Sequence, residues 1–414
     1  MKILICSYSD SEGGAARAAF KHFQALLSCG VDAEFWSAKY RFNKGGMYYK
    51  ASRFEVAKNF VKRQIARLII RLFAKNDGQF RSLNIFSAIN IQDIDQSDFD
   101  LVNLHWVCGE LLSVGDIASS KKPFVWTLHD MWMFLGTEHY QGKGVADLDQ
   151  NKEDPYIHTG SPWFERWAWS RKKRLWVNPI PIVLSSKWML DKVRASHLVG
   201  SWPSCIIPNA IDLTFFVEQD MMLSRKKLNL PLDKKIILFG AAGGLKDFRK
   251  GGDILLEAMG QVVDLVPDAH LVVFGGIDDS PITVANNKFP ITNLGPIRDA
   301  NLLLSLYSAA NVLAVPSRED NLPLTAVEAH ACSCPIVAFD IAGLKDIVDQ
   351  GVTGYLAPAF DANAFCLAIA KILGAHKDEG LQMRANSRLR AERLWSNDAV
   401  VPLYLQAYQR TIDA

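Results

Sequence analysis

The alternation of short apolar runs with helical patterns is the feature that most constrains this chain, because it continues from end to end. Five such runs lie in the first half, and they begin at Lys2, Asp32, Leu101, Pro123 and Pro179. A second series begins at Lys235, Ala269, Ile291, Asn311 and Cys334. Strands that alternate with helices form parallel sheets covered on both faces. The pattern therefore predicts an α/β protein with two parallel sheets.

The length of 414 residues exceeds what one ordinary hydrophobic core supports, and it fits two domains of about 200 residues each. We assign the first domain to residues 1–195 and the second to 205–395, with a linker near 190–208. The final helical pattern, 396–414, is a candidate for packing back on the first domain. Two domains imply a cleft between them.

Composition excludes several classes of protein. The chain has 46 basic and 44 acidic side chains and a net charge of +2, so nucleic acid is not an expected partner. Its seven cysteines lack metal-ligand spacing, which indicates reduced thiols and neither a zinc site nor a disulfide framework. No apolar segment reaches the roughly 20 residues of a spanning helix, and the first apolar run meets Asp10 too early for a signal peptide. A cytoplasmic location is expected.

Residues 53–76 form a basic amphipathic pattern. Basic residues recur every four positions beside an apolar stripe: Arg63, Arg67, Arg71 and Lys75 beside Val61, Ile65, Leu68 and Leu72. Such a helix can lie on an anionic membrane surface, at the inner face of the cytoplasmic membrane. Equally, its apolar stripe can face the protein core. The sequence leaves both interpretations open.

Two common nucleotide-binding signatures are absent. The chain has no G-x-x-x-x-G-K-[ST] loop and no G-x-G-x-x-G after its first strand, which disfavours kinase-like and nicotinamide-dependent functions. Gly13 and Gly14 nevertheless lie where the first strand turns into a helix. Without Cβ atoms they let backbone N–H groups approach a phosphate or sugar, although a plain tight turn explains them equally well.

The most informative segment is SREDNLPLTAVEAHACSCPIVAFDIAGLKDIV, from Ser317 to Val348. It follows a buried strand, passes through a Pro-containing loop and enters a helix that carries Glu328. Ligands of open α/β sheets bind beyond the carboxyl ends of strands, which is where Asp320 is expected. Acids there accept hydrogen bonds from sugar or ribose hydroxyls, and the N–H groups of the helix start hold phosphate oxygens.

This segment resembles the donor-site signature of the retaining glycosyltransferases of family 4, in which two acids are separated by seven residues. Asp320 and Glu328 have that spacing, with Asp where the family most often has Glu. Four further motifs match in order: WTLHDMW, IIPNAIDLTFF, RKGGDILLEAM and LGPIRDANLLLSLYSAANVLAVPS. The resemblance implies the GT-B fold, in which the parallel sheets of two Rossmann-like domains face an inter-domain cleft. It also implies that the first domain binds the acceptor and that the second domain binds the nucleotide sugar.

The resemblance also implies roles for residues of the second domain. Glu328 would bind the ribose hydroxyls, Asp320 the hydroxyls of the donor sugar, and Lys250 the donor diphosphate as a point charge. Arg249 is our substitute for a family arginine that is missing after the strand ending in GAAGG. The remaining donor contacts fall on Ile297 and Arg298 near the base and on the backbone of Asn321, Leu322, Pro323 and Leu324.

In the first domain the resemblance places His129 beside the transferred sugar, whereas taken alone a histidine after a strand is more often structural. Asp130 is expected to fix the loop or the ring orientation. His105 and Trp106 are expected to line the acceptor side, with core packing as the alternative for Trp106. The polar stretch 137–166 is too long for an ordinary connection and is a candidate acceptor loop.

The resemblance implies retaining transfer of a hexose-type sugar from a nucleotide sugar to a glycan or lipid-linked glycan in polysaccharide biosynthesis. We expect no cofactor, no protein nucleophile and no metal; the Asp-x-Asp pair of Asp93 and Asp95 precedes a strand and is not expected at the cleft. The alternatives are a nucleotide-sugar epimerase or hydrolase of the same fold and a non-catalytic scaffold that binds sugar nucleotides.

Overall fold

A computed structural model describes residues 1–39, 49, 52–141, 154–276 and 289–414. The chain divides into two compact units, Met1–Pro208 with Val401–Ala414, and Asn209–Val400. Each unit contains a parallel sheet with helices between its strands, so the predicted α/β class is confirmed.

The first unit is built on a six-stranded sheet with the order β2-β1-β3-β4-β5-β6. Its strands are β1 (Lys2–Cys6), β2 (Asp32–Trp36), β3 (Leu101–Leu104), β4 (Phe124–Leu128), β5 (Ile182–Leu184) and β6 (Ser204–Ile206). Its helices are α1 (Gly13–Ser28), α2 (Arg53–Phe73), α3 (Ile91–Asp95), α4 (Val114–Ser119), α5 (Trp163–Leu175) and α6 (Lys187–Ala195). Every residue of β3 and β4 is buried, as expected for central strands covered on both faces.

The second unit repeats this design with the order β12-β11-β10-β7-β8-β9. Its strands are β7 (Lys235–Gly240), β8 (Ala269–Phe274), β9 (Ile291–Asn293), β10 (Val312–Val315), β11 (Ile336–Phe339) and β12 (Gly354–Ala357). The helices are α7 (Met221–Lys227), α8 (Gly252–Leu265), α9 (Ala300–Ala309), α10 (Leu324–Ala331), α11 (Ala362–Leu373) and α12 (Lys377–Trp395), and α13 (Asn397–Ile412) follows them.

Each strand order reverses once. In the first unit the reversal lies between β1 and β3, and in the second between β7 and β10. The loops that leave the carboxyl ends of such strands diverge to opposite faces of the sheet and open a crevice there, which is where open α/β sheets bind ligands. The fold thus marks one candidate binding position in each unit.

The stretch expected as a linker, 190–208, is structured instead. It contains the end of α6 and the edge strand β6, which pairs with β5. Strand β12, at one edge of the second sheet, was also missed by the sequence pattern. Both are only three or four residues long and are partly exposed, so neither carries a continuous apolar run.

The C-terminal helix α13 carries two buried tyrosines into the first unit. The hydroxyl of Tyr408 accepts a hydrogen bond from Nδ2 of Asn103 at 2.6 Å and lies 2.7 Å from Nε2 of His22. Tyr404 stacks at a tilt on His22, with ring centroids 4.0 Å apart. Residues 401–414 therefore belong to the first unit.

Helix α2 does not bury its apolar stripe, so the core-facing interpretation of that stripe is wrong. The exposed fractions are 54% for Val61, 42% for Ile65, 56% for Leu68 and 65% for Leu72, whereas Ala66 on the opposite face is buried. Within the described residues, none of the helices combines the length and the apolar character needed to cross a bilayer.

Candidate functional site

The loop between β10 and α10 holds the first predicted acid. Asp320 is only 6% exposed, and its carboxylate accepts hydrogen bonds from Nζ of Lys250 and, at 3.3 Å, from Oγ of Ser317. Burial alone would raise the pKa of Asp320, but the charges of Lys250 and Arg249 outweigh it and hold that pKa below its usual value. Asp320 is therefore a buried anion in a basic cluster.

Lys250 reaches Asp320 through a close approach of two loops. It ends the second of two short 3-10 helices, Gly244–Lys246 and Phe248–Lys250, and Gly251 follows with φ +69°. A Cβ at Gly251 would lie 1.9 Å from the carbonyl oxygen of Pro316, so only glycine fits against the end of β10. The pair thus stands at the point where the strand order reverses.

Arg318 stabilises the approach of the Lys250 loop to the Asp320 loop. The sequence did not indicate Arg318 as a site residue. Its Nη1 and Nη2 atoms donate to the carboxylate of Asp253 at 2.7 and 2.6 Å. Its guanidinium lies 3.8 Å over the ring of Phe248, and its backbone N–H donates to the carbonyl of Arg249 at 2.8 Å. A two-point Arg–carboxylate pair is directional, so it holds the loop of Lys250 against that of Asp320.

Arg249 adds a second cation. Its Nη1 donates to the carbonyl of Glu319 at 2.9 Å and lies 3.7 Å from Oδ1 of Asp320. Arg249 thus brings a guanidinium to the cluster, which is where a substitute for the missing family arginine was expected. Its contact with a ligand stays a prediction.

Glu328 has a different environment. It is the fifth residue of α10, is 5% exposed, and accepts a 2.8 Å hydrogen bond from the hydroxyl of Tyr307 on α9. Tyr307 is fully buried, with its ring edge-on to Phe274 at 6.1 Å. The sequence did not indicate Tyr307, although a buried tyrosine hydroxyl needs a polar partner.

The other predicted donor contacts lie on the loops around these acids. Asn321 and Leu322 are buried, and Pro323 precedes α10 with no side chain capping the N–H groups of that helix. Ile297 packs on the core of the unit, whereas Arg298 is exposed on the loop between β9 and α9.

In the first unit, two histidines follow adjacent strands and pair with each other. Nδ1 of His105, after β3, lies 2.9 Å from Nε2 of His129, after β4, with the rings stacked at 5.2 Å. Burial lowers the pKa of His129 to about 4 despite the nearby Asp130, and it lowers the pKa of His105 well below the usual value. Both rings are neutral at neutral pH.

Asp130 holds the loop after His129 but does not bond to that ring. It accepts hydrogen bonds from Nε1 of Trp106 at 2.8 Å and from the N–H of Trp132 at 3.0 Å, and it lies 2.6 Å from Nδ1 of His139. Burial would raise the pKa of Asp130, but His139 and the donated hydrogen bonds hold it below its usual value. Trp106 is thus held by a hydrogen bond as well as by packing. His139 lies next to the candidate site, and the sequence did not indicate it.

Gly13 and Gly14 begin α1, beyond the end of β1, at the other point of reversal. Gly13 has φ +87°, which favours glycine, and no side chain caps the helix start. A Cβ at either glycine would meet open space, so the surrounding space does not require glycine there. Of the predicted acceptor loop 137–166, residues 142–153 lie outside the described residues.

Comparison with known proteins matches residues 235–375 to the family described as glycosyl transferases group 1. D-inositol 3-phosphate glycosyltransferase of Xylanimonas cellulosilytica is 33% identical over 226 residues, 50% of this chain and 52% of the relative. The match thus spans about half the length of that curated relative. Among solved structures, sucrose-phosphate synthase from Thermosynechococcus elongatus has a TM-score of 0.68 at 20% identity, covering 99% of both chains. Anabaena HepE in complex with UDP has a TM-score of 0.64 at 15% identity, covering 99% of this chain and 100% of that one.

Proposed function

Because the chain carries a group 1 glycosyltransferase domain on a GT-B fold, we propose that it transfers a sugar from a nucleotide-sugar donor to an acceptor. The observation that carries the proposal is the cluster of Lys250, Arg249 and Asp320 at the point where the strand order of the second unit reverses. Cations at that point are suited to the diphosphate of such a donor.

The chemistry follows from what the anomeric bond needs. As that bond breaks, negative charge grows on the leaving diphosphate while the sugar becomes oxocarbenium-like. Lys250 and the uncapped N–H groups at the start of α10 can stabilise that charge, and the buried Glu328 can accept hydrogen bonds from ribose hydroxyls. The donor sugar then lies near Asp320.

We further propose that transfer retains the configuration of a hexose-type sugar. In this mechanism the acceptor attacks from the face that the diphosphate leaves, and a phosphate oxygen takes the proton of the acceptor hydroxyl. His129 keeps the role that the resemblance implies, beside the transferred sugar, and no protein nucleophile or metal takes part. The acceptor is a glycan or lipid-linked glycan of polysaccharide biosynthesis.

We propose that the exposed surface of α2 and α5 contacts the anionic inner face of the cytoplasmic membrane. Such a contact supports a lipid-linked acceptor. The exposed stripe of α2 continues onto aromatic side chains, since Phe73 packs edge-on against Trp163 at 5.5 Å. Trp163 and Trp167 of α5 are 55% and 44% exposed. Apolar and tryptophan side chains beside Arg67 and Arg71 match the chemistry of an anionic lipid surface.

The deciding experiment is a thermal-shift screen with UDP, GDP, ADP and their sugar conjugates. UDP is the first probe because HepE was solved with it. A nucleotide at about 100 times its Kd should stabilise the protein by about 2.7 kcal/mol, a rise of roughly 5–10 °C for a unit of this size. Lys250→Ala and Glu328→Ala should abolish most of that rise.

The matched controls are Lys345→Ala and Glu392→Ala, which alter exposed ion pairs of the same unit. They should leave the shift intact. If no nucleotide stabilises the wild type, the donor site is refuted. If the donor is consumed without any acceptor, the epimerase or hydrolase alternative is favoured, and binding without turnover of any donor and acceptor pair would indicate a scaffold.

A further inference from the structure

The paired histidines of the first unit share a single hydrogen. A neutral imidazole has one N–H donor and one bare nitrogen, so only one of Nδ1 of His105 and Nε2 of His129 carries a hydrogen across their 2.9 Å contact. The state of one ring therefore dictates the state of the other. Because burial keeps both rings neutral, this coupling persists at neutral pH.

His105 itself has little freedom. It is 3% exposed, and its second ring nitrogen, Nε2, is buried without a hydrogen-bond partner. On its far side lies His22, with ring centroids 5.5 Å apart, and His22 is in turn packed on Tyr404. A 180° flip of the His105 ring would break the bond to His129 and place Nδ1 where Nε2 now has no hydrogen-bond partner. The ring is thus locked by packing as well as by its one hydrogen bond.

His129 differs because it is only partly buried. Its Nε2 is taken by His105, whereas its Nδ1 is not among the buried nitrogens that lack a partner. Nδ1 is consequently the ring atom left for a ligand. Whether Nδ1 of His129 donates or accepts a hydrogen bond depends on which of the two rings carries the hydrogen between Nδ1 of His105 and Nε2 of His129.

We infer that His105 is a positioning residue that fixes both the ring orientation and the tautomer of His129, so that Nδ1 alone meets the ligand, in one defined role. This inference rests on the proposed function in assigning His129 to the transferred sugar. In metal-bound histidines, the group that hydrogen-bonds the second ring nitrogen fixes the tautomer, and its loss typically lowers metal affinity or activity by about 10- to 100-fold. A histidine that aligns a sugar hydroxyl has the same requirement.

Nitrogen NMR of the protein labelled in its histidine rings tests the inference directly. The signals of His129 are identified by their loss in His129→Asn. In the wild type we expect one protonated and one bare nitrogen for His129, which is a single tautomer. Averaged shifts for that ring in the wild type would overturn the inference without any need for a further variant.

Two substitutions then test the role of the partner. His105→Phe keeps a flat ring and should give averaged His129 signals, with kcat for donor turnover reduced by roughly 10- to 100-fold and a smaller change in KM. His105→Asn, whose amide can occupy the place of Nδ1, should restore the single tautomer. His270→Phe, in the second unit, is the control and should leave the His129 signals unchanged.

A single tautomer that survives His105→Phe would refute the positioning role. Turnover of a nucleotide sugar tests the proposed function, whereas the NMR signals of the His129 ring test the positioning role of His105. If no nucleotide sugar is bound or turned over, the proposed function fails, while the ring signals still decide whether His105 controls His129.

Discussion

At the scale of single residues, the structure shows which groups hold the predicted acids. Asp320 is held by Lys250 and Ser317, and Glu328 is held by Tyr307. The seven-residue spacing between the two acids is visible in the sequence, but their partners come from elsewhere in the chain. The two carboxylates therefore have separate hydrogen-bond partners within one unit.

Tyr307→Phe tests this assignment by removing one hydroxyl. The carboxylate of Glu328 loses a charge-assisted hydrogen bond, worth about 1.5 kcal/mol or more, which helps to orient it toward the ribose in the proposed complex. We expect UDP affinity to fall roughly tenfold in calorimetric titration. Tyr355→Phe, on the partly exposed β12, should bind UDP like the wild type, and equal affinities for both variants would contradict the role of Tyr307.

At the scale of secondary-structure elements, the orientation of α2 is what its sequence left open. A capping box starts the helix, since Oγ of Ser52 accepts from the N–H of Glu55 and the Glu55 carboxylate accepts from the N–H of Ser52. The helix is thus well formed, yet its apolar stripe faces outward. Exposed contiguous apolar surface of this kind marks an interaction site.

Vesicle binding tests the membrane proposal for α2. Arg67→Gln with Arg71→Gln removes two charges worth about 1 kcal/mol each near an anionic surface, so binding should weaken by roughly 30-fold. Leu68→Asn with Leu72→Asn should also weaken it. The control is Leu381→Asn with Leu389→Asn on α12, which are similarly exposed at 55% and 58%. Sedimentation with phosphatidylglycerol vesicles gives the measurement, and unchanged binding by both α2 variants would exclude this surface.

At the scale of the whole molecule, buried neutral histidines make stability depend on pH. Burial lowers the pKa of His22 and of His330 to about 3 and that of His129 to about 4. The unfolded chain binds more protons than the folded one between these values and about 6.5. Their neutral state therefore costs no stability above about pH 6.5. Below about pH 6.5, each of these histidines lowers the free energy of unfolding by up to about 1.4 kcal/mol per pH unit.

We expect the urea midpoint to fall markedly between pH 7.5 and pH 5.5. Tryptophan fluorescence follows the first unit, because Trp395 is the only tryptophan of the second. His22→Gln should flatten the pH dependence of that signal, whereas the exposed His376→Gln should not. Equal wild-type midpoints at the two pH values would contradict the buried, neutral state of these rings.

Sequence patterns predicted the parts of the fold that depend on local chemistry. The ten apolar runs all became strands. Eight of them are central strands, which are buried on both faces and are therefore largely apolar, and the other two, β2 and β9, lie at sheet edges. The strands β6 and β12 escaped prediction, since both are short and partly exposed and neither carries a continuous apolar run. The resemblance of Ser317–Val348 and four other motifs supplied the candidate site residues.

The sequence by itself determined the α/β class, the two sheets and the residues able to carry donor chemistry, because periodicity and short motifs are local properties of the chain. The tertiary structure alone decided the partners of those residues: Lys250 with Asp320, Tyr307 with Glu328, and His105 with His129. It also decided that the apolar stripe of α2 faces outward. Such pairings depend on strand order and loop approach, which bring together groups distant in the chain and leave no periodic trace in it.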